Sequence, residues 1–316
     1  MSGELEAVLQ LLVAGLTVGC IYGLMCVGLG LIFGVMRVIN FAQGDFMMVG
    51  MYLAFLMVGA AVTLPVNPYL TAVLAAIAAG VILFFVSSGL HLMMIRAVSG
   101  QRVSDTDDGG HTRQLILTLG ISLVLQNAAL MVFGSTPKSI RTPFSTQAWE
   151  IGPLIGDDVF LFFNKARVLS ALAACVIALG LALFMGRSAI GRRLRAAADN
   201  PTASIYMGID VDAAHRMAFG LGIALTAIAG ALIAVSVPFQ PYSGLEYVVL
   251  MYAGVVLGGM GSVAGAFWGG LIIGFVQQMS QLVMPVQLQA TAVFTVFLLI
   301  LLFRPQGLFG RNVERA

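Results

Sequence analysis

The sequence predicts an all-α polytopic membrane protein, a bundle of eight or nine transmembrane helices, some of them broken and rich in glycine. Three observations carry this. Of 316 residues, 59% are hydrophobic and 9% charged, where a soluble domain carries about 25% charged residues. The mean hydropathy is +0.99. The charges are also segregated: residues 7–36, 46–95, 114–137 and 168–186 hold none, and between Arg216 and Arg304 only Glu246 is charged. A helix needs about 20 apolar residues to cross the hydrocarbon, and each block supplies one or more such lengths. The runs are continuous rather than alternating, which selects helices over a barrel.

In chain order the expected spans are 7–35, 45–63, 69–96, 114–134, 167–186, 217–237, 246–260, 263–283 and 289–303. Glycine interrupts the region 246–283, so the count reads as eight or nine, all within one transmembrane domain over residues 1–316. Cys20, Cys26 and Cys175 lie inside apolar runs with no CxxC or His partner at metal spacing, and read as small buried hydrophobes. Glu4 and Glu6 precede a first run too long for a signal-peptide core, so no secretory signal is expected. Lys and Arg sort to two sides. Arg37, the arginines of 96–113 and 187–216, and Arg304, Arg311 and Arg315 make twelve on one side, against Lys138, Arg141, Lys165 and Arg167 on the other. The positive-inside rule makes the first side cytoplasmic. With nine crossings the N-terminus then lies outside and the C-terminus inside.

The first span ends in "RVINFAQGDF" (37–46), a polar cluster between two apolar runs. Arg37 reads as a positive-inside anchor. In "INFAQGD" the polar groups interleave with Ile39, Phe41, Ala42 and Phe46, which reads as a broken-helix elbow covered by neighbouring helices. Gly44 is expected to allow the turn, and Asp45 to open the next helix, where its charge suits the N-terminal dipole. Asn40 and Gln43 are then candidates for a gate or pathway.

Two polar excursions follow. Residues 135–166 form an external loop with Pro137, Pro143, Pro153 and Trp149, expected as an ordered cap near the headgroups. Residues 187–216 form an internal loop in which "DNPTASIYMGI" carries its own boundaries. Asn200 suits an N-cap, Pro201 the first helical position and Gly208 a left-handed C-terminal stop. The resulting short helix would present Ile205, Tyr206 and Met207 to a partner groove.

Glycine spacing suggests close helix packing. Gly15, Gly19 and Gly23 recur every four residues, as do Gly261, Gly265 and Gly269, a spacing that lets backbones approach. The stretch "GMGSVA" (259–264) only approximates a dinucleotide loop and lacks the strand–turn–helix context, and no GxxxxGK[ST] occurs. No HExxH, nucleophile elbow or intramembrane carboxylate pair is present, so no catalytic set and no metal site is expected. His91, His111 and His215 fall at span ends or in internal loops and read as hydrated structural residues. Ion-coupled transporters usually keep ionisable groups within their spans. Here only Asp45 and Glu246 approach membrane depth. Uncharged candidates for a hydrated route are Tyr22 and the mid-span pair Gln126 and Asn127, which equally suit interhelical hydrogen bonding.

Several stretches together resemble a known family. "GLTVGCIYGLMCVGLGLIFGVMRVINFAQGDFMMVGMY" (15–52), "GRRLRAAADNPTASIYMGIDV" (191–211), "VVLGGMGSVAGAFWGGLIIG" (255–274) and "FRPQGLFG" (303–310) resemble the inner-membrane permeases of branched-chain amino acid ABC importers, LivH type. The resemblance implies a permease, not an enzyme, in the bacterial inner membrane. It implies as partners a second, LivM-like permease, two cytoplasmic ATPases and a periplasmic substrate-binding protein, besides membrane lipid, and no nucleic acid. ATP and Mg would be held by the ATPases, with no cofactor in this chain. The segment 195–208, with Arg195, Asn200, Pro201, Ile205, Tyr206, Met207 and Gly208, would dock on an ATPase, although Ala196 to Ala198 match the usual Glu-Ala-Ala pattern only loosely. The substrate expected from the resemblance is a branched-chain amino acid (Leu, Ile or Val), with another small amino acid, a short amide or urea as the alternatives; an ion-coupled transporter and a passive channel are the rival classes.

Overall fold

The computed structural model describes residues 2–61, 68–95, 108–142, 147–152 and 160–310. Expectations placed on Arg96, Arg102, Pro143, Pro153, Arg311 and Arg315 fall outside these residues, as does the side chain of His111. The helices are α1 (Ser2–Met36), α2 (Gln43–Ala61), α3 (Pro68–Leu90, prolonged by a π-helical turn His91–Ile95), α4 (Asp108–Phe133), α5 (Lys165–Arg187), α6 (Ala189–Asp199), α7 (Pro201–Tyr206), α8 (Val211–Ile233), α9 (Ser243–Gly258), α10 (Val263–Met279) and α11 (Gln289–Phe303). Among the described residues, eight helices are long and apolar enough to cross a membrane. At 16 residues α9 is shorter, about 24 Å of helix against a hydrocarbon core of about 30 Å. The choice between eight and nine therefore turns on this one element.

α1 and α8 are buried over most of their length and form the centre, whereas α4, α5 and α11 present mostly exposed apolar side chains. Such outer faces suit lipid, which solvates Leu as well as a protein core does. Association then depends on close packing, and glycine supplies it. A Cβ added at Gly19 would lie 2.6 Å from the Leu271 carbonyl oxygen, and one at Gly23 would lie 2.8 Å from the Phe267 ring. Gly15 meets Phe275 in the same way, so all three glycines face α10. On α10, Gly265 and Gly269 turn to a second partner, the backbone of α9 at Gly258 and Gly254. Both glycine series thus pack within the chain.

Gly261 departs from its expected place on that helix face. It lies in the connection before α10, with φ of 97° and no atom within 4 Å of an added Cβ. The helix starts only at Val263, because the Ser262 hydroxyl accepts the Gly265 N–H at 3.0 Å and caps it. The near-dinucleotide stretch is therefore a helix–helix turn. The tail covers it: the Leu308 N–H donates to the Leu257 carbonyl at 2.8 Å and the Phe309 N–H to the Gly258 carbonyl at 3.1 Å. These bonds satisfy the terminal carbonyls of α9, which have no partner within the helix.

Other boundaries also shift. α8 begins at Val211 rather than 217, because the Asp210 carboxylate caps the Ala213 N–H at 3.0 Å. The internal loop is accordingly almost entirely helical. The loop expected outside contains a two-stranded antiparallel ribbon, Ala148–Ile151 against Leu161–Asn164. It is fixed to α1 by the Gln10 side chain, which donates to the Phe162 carbonyl at 2.6 Å and accepts its N–H at 3.1 Å. His91 is not a hydrated residue: it is buried, with its ring 5.8 Å from Phe219.

Candidate transport site

The elbow joins α1 to α2 over residues 37–42. Arg37 ends α1 in a left-handed conformation, φ of 55°, and its guanidinium donates to the Ala198 carbonyl on α6 at 3.2 Å. The turn is therefore made at Arg37. Gly44 already lies inside α2, and its missing side chain serves a different purpose: an added Cβ would collide with the Gly244 carbonyl of α9. Asp45 falls in the first turn of α2, as expected.

The polar side chains of the elbow are turned inward. Asn40, Gln43 and Asp45 are 1%, 0% and 1% exposed. The Asn40 amide donates to Gln43 Oε1 at 3.0 Å, and its Oδ1 accepts the Ala42 N–H at 3.1 Å. The Gln43 amide donates to Thr226 Oγ1 at 2.6 Å and to the Gly222 carbonyl at 3.3 Å on α8. The Gln126 amide of α4 donates to Asp45 Oδ1 at 3.0 Å and to Ser122 Oγ at 3.1 Å. None of these side chains leaves a buried polar atom unpaired. Ser122 and Thr226 sit near the middle of the apolar stretches Thr112–Phe133 and Val211–Ile233. A polar network this deep is retained only when its groups pair with one another.

The remaining pathway candidates separate. Tyr22 is buried in α1, its ring 6.1 Å from that of Tyr247. Asn127 points away from Gln126: it is exposed, and its amide returns to the Leu123 carbonyl of its own helix at 2.7 Å. Glu246 is exposed in the first turn of α9. Sequence reasoning missed Ser122, Gly222, Thr226 and Gly244. The spacing Gly222, Thr226, Gly230, small residues every four positions along α8, was a usable signal for a close approach.

This division has a measurable consequence. Gln126→Leu removes the amide donor to a buried carboxyl, whereas Asn127→Leu removes only a bond within one exposed turn. Interhelical hydrogen bonds in membrane proteins average about 0.6 kcal/mol and reach about 1.7, and leaving a buried polar group unpaired moves the loss to the upper end. Gln126→Leu should lower the melting temperature of the purified chain while Asn127→Leu leaves it nearly unchanged. Equal effects would contradict the network.

At the end of the bundle that carries Arg37, α5, α6 and α7 form a rigid corner. Arg195 turns back and donates to the Met185 and Gly186 carbonyls, and Arg192 donates to the Arg187 carbonyl at 2.9 Å. Arginines here complement the C-terminal end of α5 and set its angle to α6. α7 carries the expected caps. Asn200 Oδ1 accepts the Ala203 N–H at 2.9 Å and Pro201 holds the first position. Gly208 has φ of 77°. The Gly208 N–H then donates to the Ile205 carbonyl and the Ile209 N–H to the Ser204 carbonyl, each at 2.9 Å, which is the Schellman closure. Ile205, Tyr206 and Met207 are 48%, 85% and 81% exposed on this short element. No cluster of three His, Cys, Asp or Glu able to hold a metal occurs among the described residues.

The structure is a multi-pass helical bundle with a sealed polar elbow and an exposed apolar tip at one end. The chain belongs to the family described as the branched-chain amino acid transport system permease component, whose model matches residues 11–303. It is similar to the high-affinity branched-chain amino acid transport permease BraD of Pseudomonas aeruginosa, 32% identical over 99% of both chains. It is also similar to LivH of Escherichia coli K12, 28% identical over the full length of both. A probable LivH of Methanocaldococcus jannaschii is 28% identical over 79% of this chain and 74% of that one. No solved structure gives a significant match. The chain is thus a transport permease, not an enzyme, of a family that works with ATPase and binding-protein partners.

Proposed function

We propose that the chain is the LivH-like permease of an ATP-driven importer for branched-chain amino acids in the bacterial inner membrane. The observation that carries the coupling part is the capped α7 helix, which holds three apolar side chains in water beside an arginine-rich corner. Exposed apolar side chains on a rigid element suit a partner groove. In this reading α7 docks on one of two cytoplasmic ATPases, which hold ATP and Mg. The partner across the membrane is a LivM-like permease, and a periplasmic binding protein delivers substrate. The arginine-rich end is cytoplasmic by the positive-inside rule, which places the C-terminus inside and, with α9 counted as a ninth pass, the N-terminus outside. Substrate passes where the elbow residues Asn40, Gln43 and Asp45 open toward the partner permease. They are sealed in this conformation, so transport requires α2 and α9 to part.

Reconstituted with these partners, the chain should support leucine uptake that needs ATP, is blocked by vanadate and survives a protonophore. Uptake that collapses with the protonophore at constant ATP, or leucine flux through the chain alone in liposomes, would replace this reading with an ion-coupled transporter or a channel. Uptake of a short amide or urea in place of leucine would keep the mechanism and change the substrate.

A further inference from the structure

We propose that a polar cleft at the outer end of α5 and α8 is a small-carboxylate site, which receives the α-carboxylate of an incoming amino acid. The cleft has a volume of about 260 Å³ and is lined by residues 139–141, by Asn164 and Arg167 at the start of α5, and by residues 235–238 after α8. That lies just below the roughly 300 Å³ at which pockets for drug-sized ligands begin, so it suits a metabolite. Backbone bonds fix its walls. The Lys138 and Phe239 backbones pair with each other, the Ile140 N–H donates to the Ala234 carbonyl, and Ser170 Oγ donates to the Leu232 carbonyl at 3.2 Å to join α5 to α8.

The cations of this end are its main anomaly. Only Lys138, Arg141, Lys165 and Arg167 lie on the side that is otherwise poor in Lys and Arg. Lys165 is engaged: its ammonium donates to Gln147 Oε1 at 3.1 Å and sits 5.9 Å from the centre of the Trp149 ring. Arg141 and Arg167 both line the cleft, and among the described residues no acceptor engages either guanidinium. Ser236 lines it too, and its hydroxyl is buried without a partner. Two arginines lining one cavity supply the donors that a carboxylate satisfies, since its two oxygens match a guanidinium fork. The first turn of α5 adds its positive end. α8 ends at Ile233, seven residues beyond Thr226, which is about 10 Å along its axis, and the cleft residues follow directly. A ligand held here therefore waits above the sealed elbow.

The inference rests on the amino-acid reading of the substrate, and its test separates the two. Purified full-length chain in nanodiscs is melted with L-leucine, with leucinamide, whose carboxylate is replaced by an amide, and with inorganic phosphate. Leucine should raise the melting temperature saturably and leucinamide should not. Arg141→Gln with Arg167→Gln should abolish the shift. If Arg167→Gln lowers the unliganded melting temperature, Arg141→Gln alone decides, because its side chain is exposed. In the reconstituted importer, Arg141→Gln should raise KM for leucine about tenfold with kcat unchanged, the loss of one charge-assisted hydrogen bond. Equal shifts with leucine and leucinamide, or a shift with phosphate alone, overturn the proposal. So does an Arg141→Gln variant that loses binding-protein affinity yet keeps the leucine shift, since the arginines would then meet an acidic protein surface. In each case ATP-dependent uptake by the wild type leaves the proposed function standing.

Discussion

Met207→Asp is expected to abolish ATP-driven uptake while leaving the amount of chain in the membrane unchanged. The two halves of this result have separate physical origins. In the free chain the Met207 side chain is 81% exposed and lies outside the apolar spans, so an aspartate there would be solvated, and surface substitutions of this kind stay within about 0.5 kcal/mol. The helix beneath it persists, because Asn200, Pro201 and the closure at Gly208 are untouched. In a docked complex the same carboxylate would enter an apolar groove without a partner, a far larger penalty. Interface anchors lose at least about 2 kcal/mol on truncation, roughly thirtyfold in affinity, and a buried charge loses more. Ile205→Asp should behave alike. Vesicles carrying either variant should contain normal levels of the chain on a blot, lose leucine uptake and fail to retain the ATPases on purification. Full uptake with Met207→Asp would remove α7 from the coupling surface.

Gly44→Leu is expected to prevent the bundle from assembling. The obstacle is backbone: a Cβ at Gly44 meets the Gly244 carbonyl, and one at Gly244 lies 2.7 Å from Asp45 Oδ1 and 2.8 Å from the Gly44 carbonyl oxygen. No rotamer relieves a clash with a carbonyl, so α2 and α9 must separate. Overpacking alone costs about 1–3 kcal/mol. Here separation also opens the network of Asp45, Gln126 and Ser122, whose groups then lack partners in the low-dielectric interior. The purified chain should melt well below the wild type, and transport should be lost with it. Gly180→Leu is the control, since nothing lies within 4 Å of an added Cβ on that face of α5. It should be neutral or slightly stabilising, because glycine inside a helix is about 1 kcal/mol worse than alanine. If both variants behave alike, the α2–α9 crossing does not hold the fold together.

The spans were legible because a membrane imposes one simple requirement, an apolar run long enough to cross it. Their ends were less legible, because polar caps such as Asp210 extend helices beyond the hydrocarbon. α7 was read correctly to the residue, since Asn200, Pro201 and Gly208 act on their own immediate backbone. Residues whose role depends on distant partners were not. Gly261 shares the spacing of Gly265 and Gly269, but a cap at Ser262 leaves it outside the helix. Gln126 and Asn127 are adjacent and chemically alike, and only the position of α2 decides that one meets Asp45 while the other stays on an exposed face. Arg195 was expected only as part of the docking segment, and its bonds to the carbonyls at the end of α5 were not foreseen.

The sequence by itself determined that this chain is a polytopic helical membrane protein with a self-capped helix in its arginine-rich loop, because hydropathy and capping act over a few neighbouring residues. Only the tertiary structure decided that the elbow is sealed, that Gly44 serves a helix crossing instead of a turn, and that Arg141, Arg167 and Ser236 share one cleft. Each of these depends on where helices far apart in sequence meet, and in lipid that is set by backbone approach at glycine and by hydrogen bonds between helices, which no local pattern encodes.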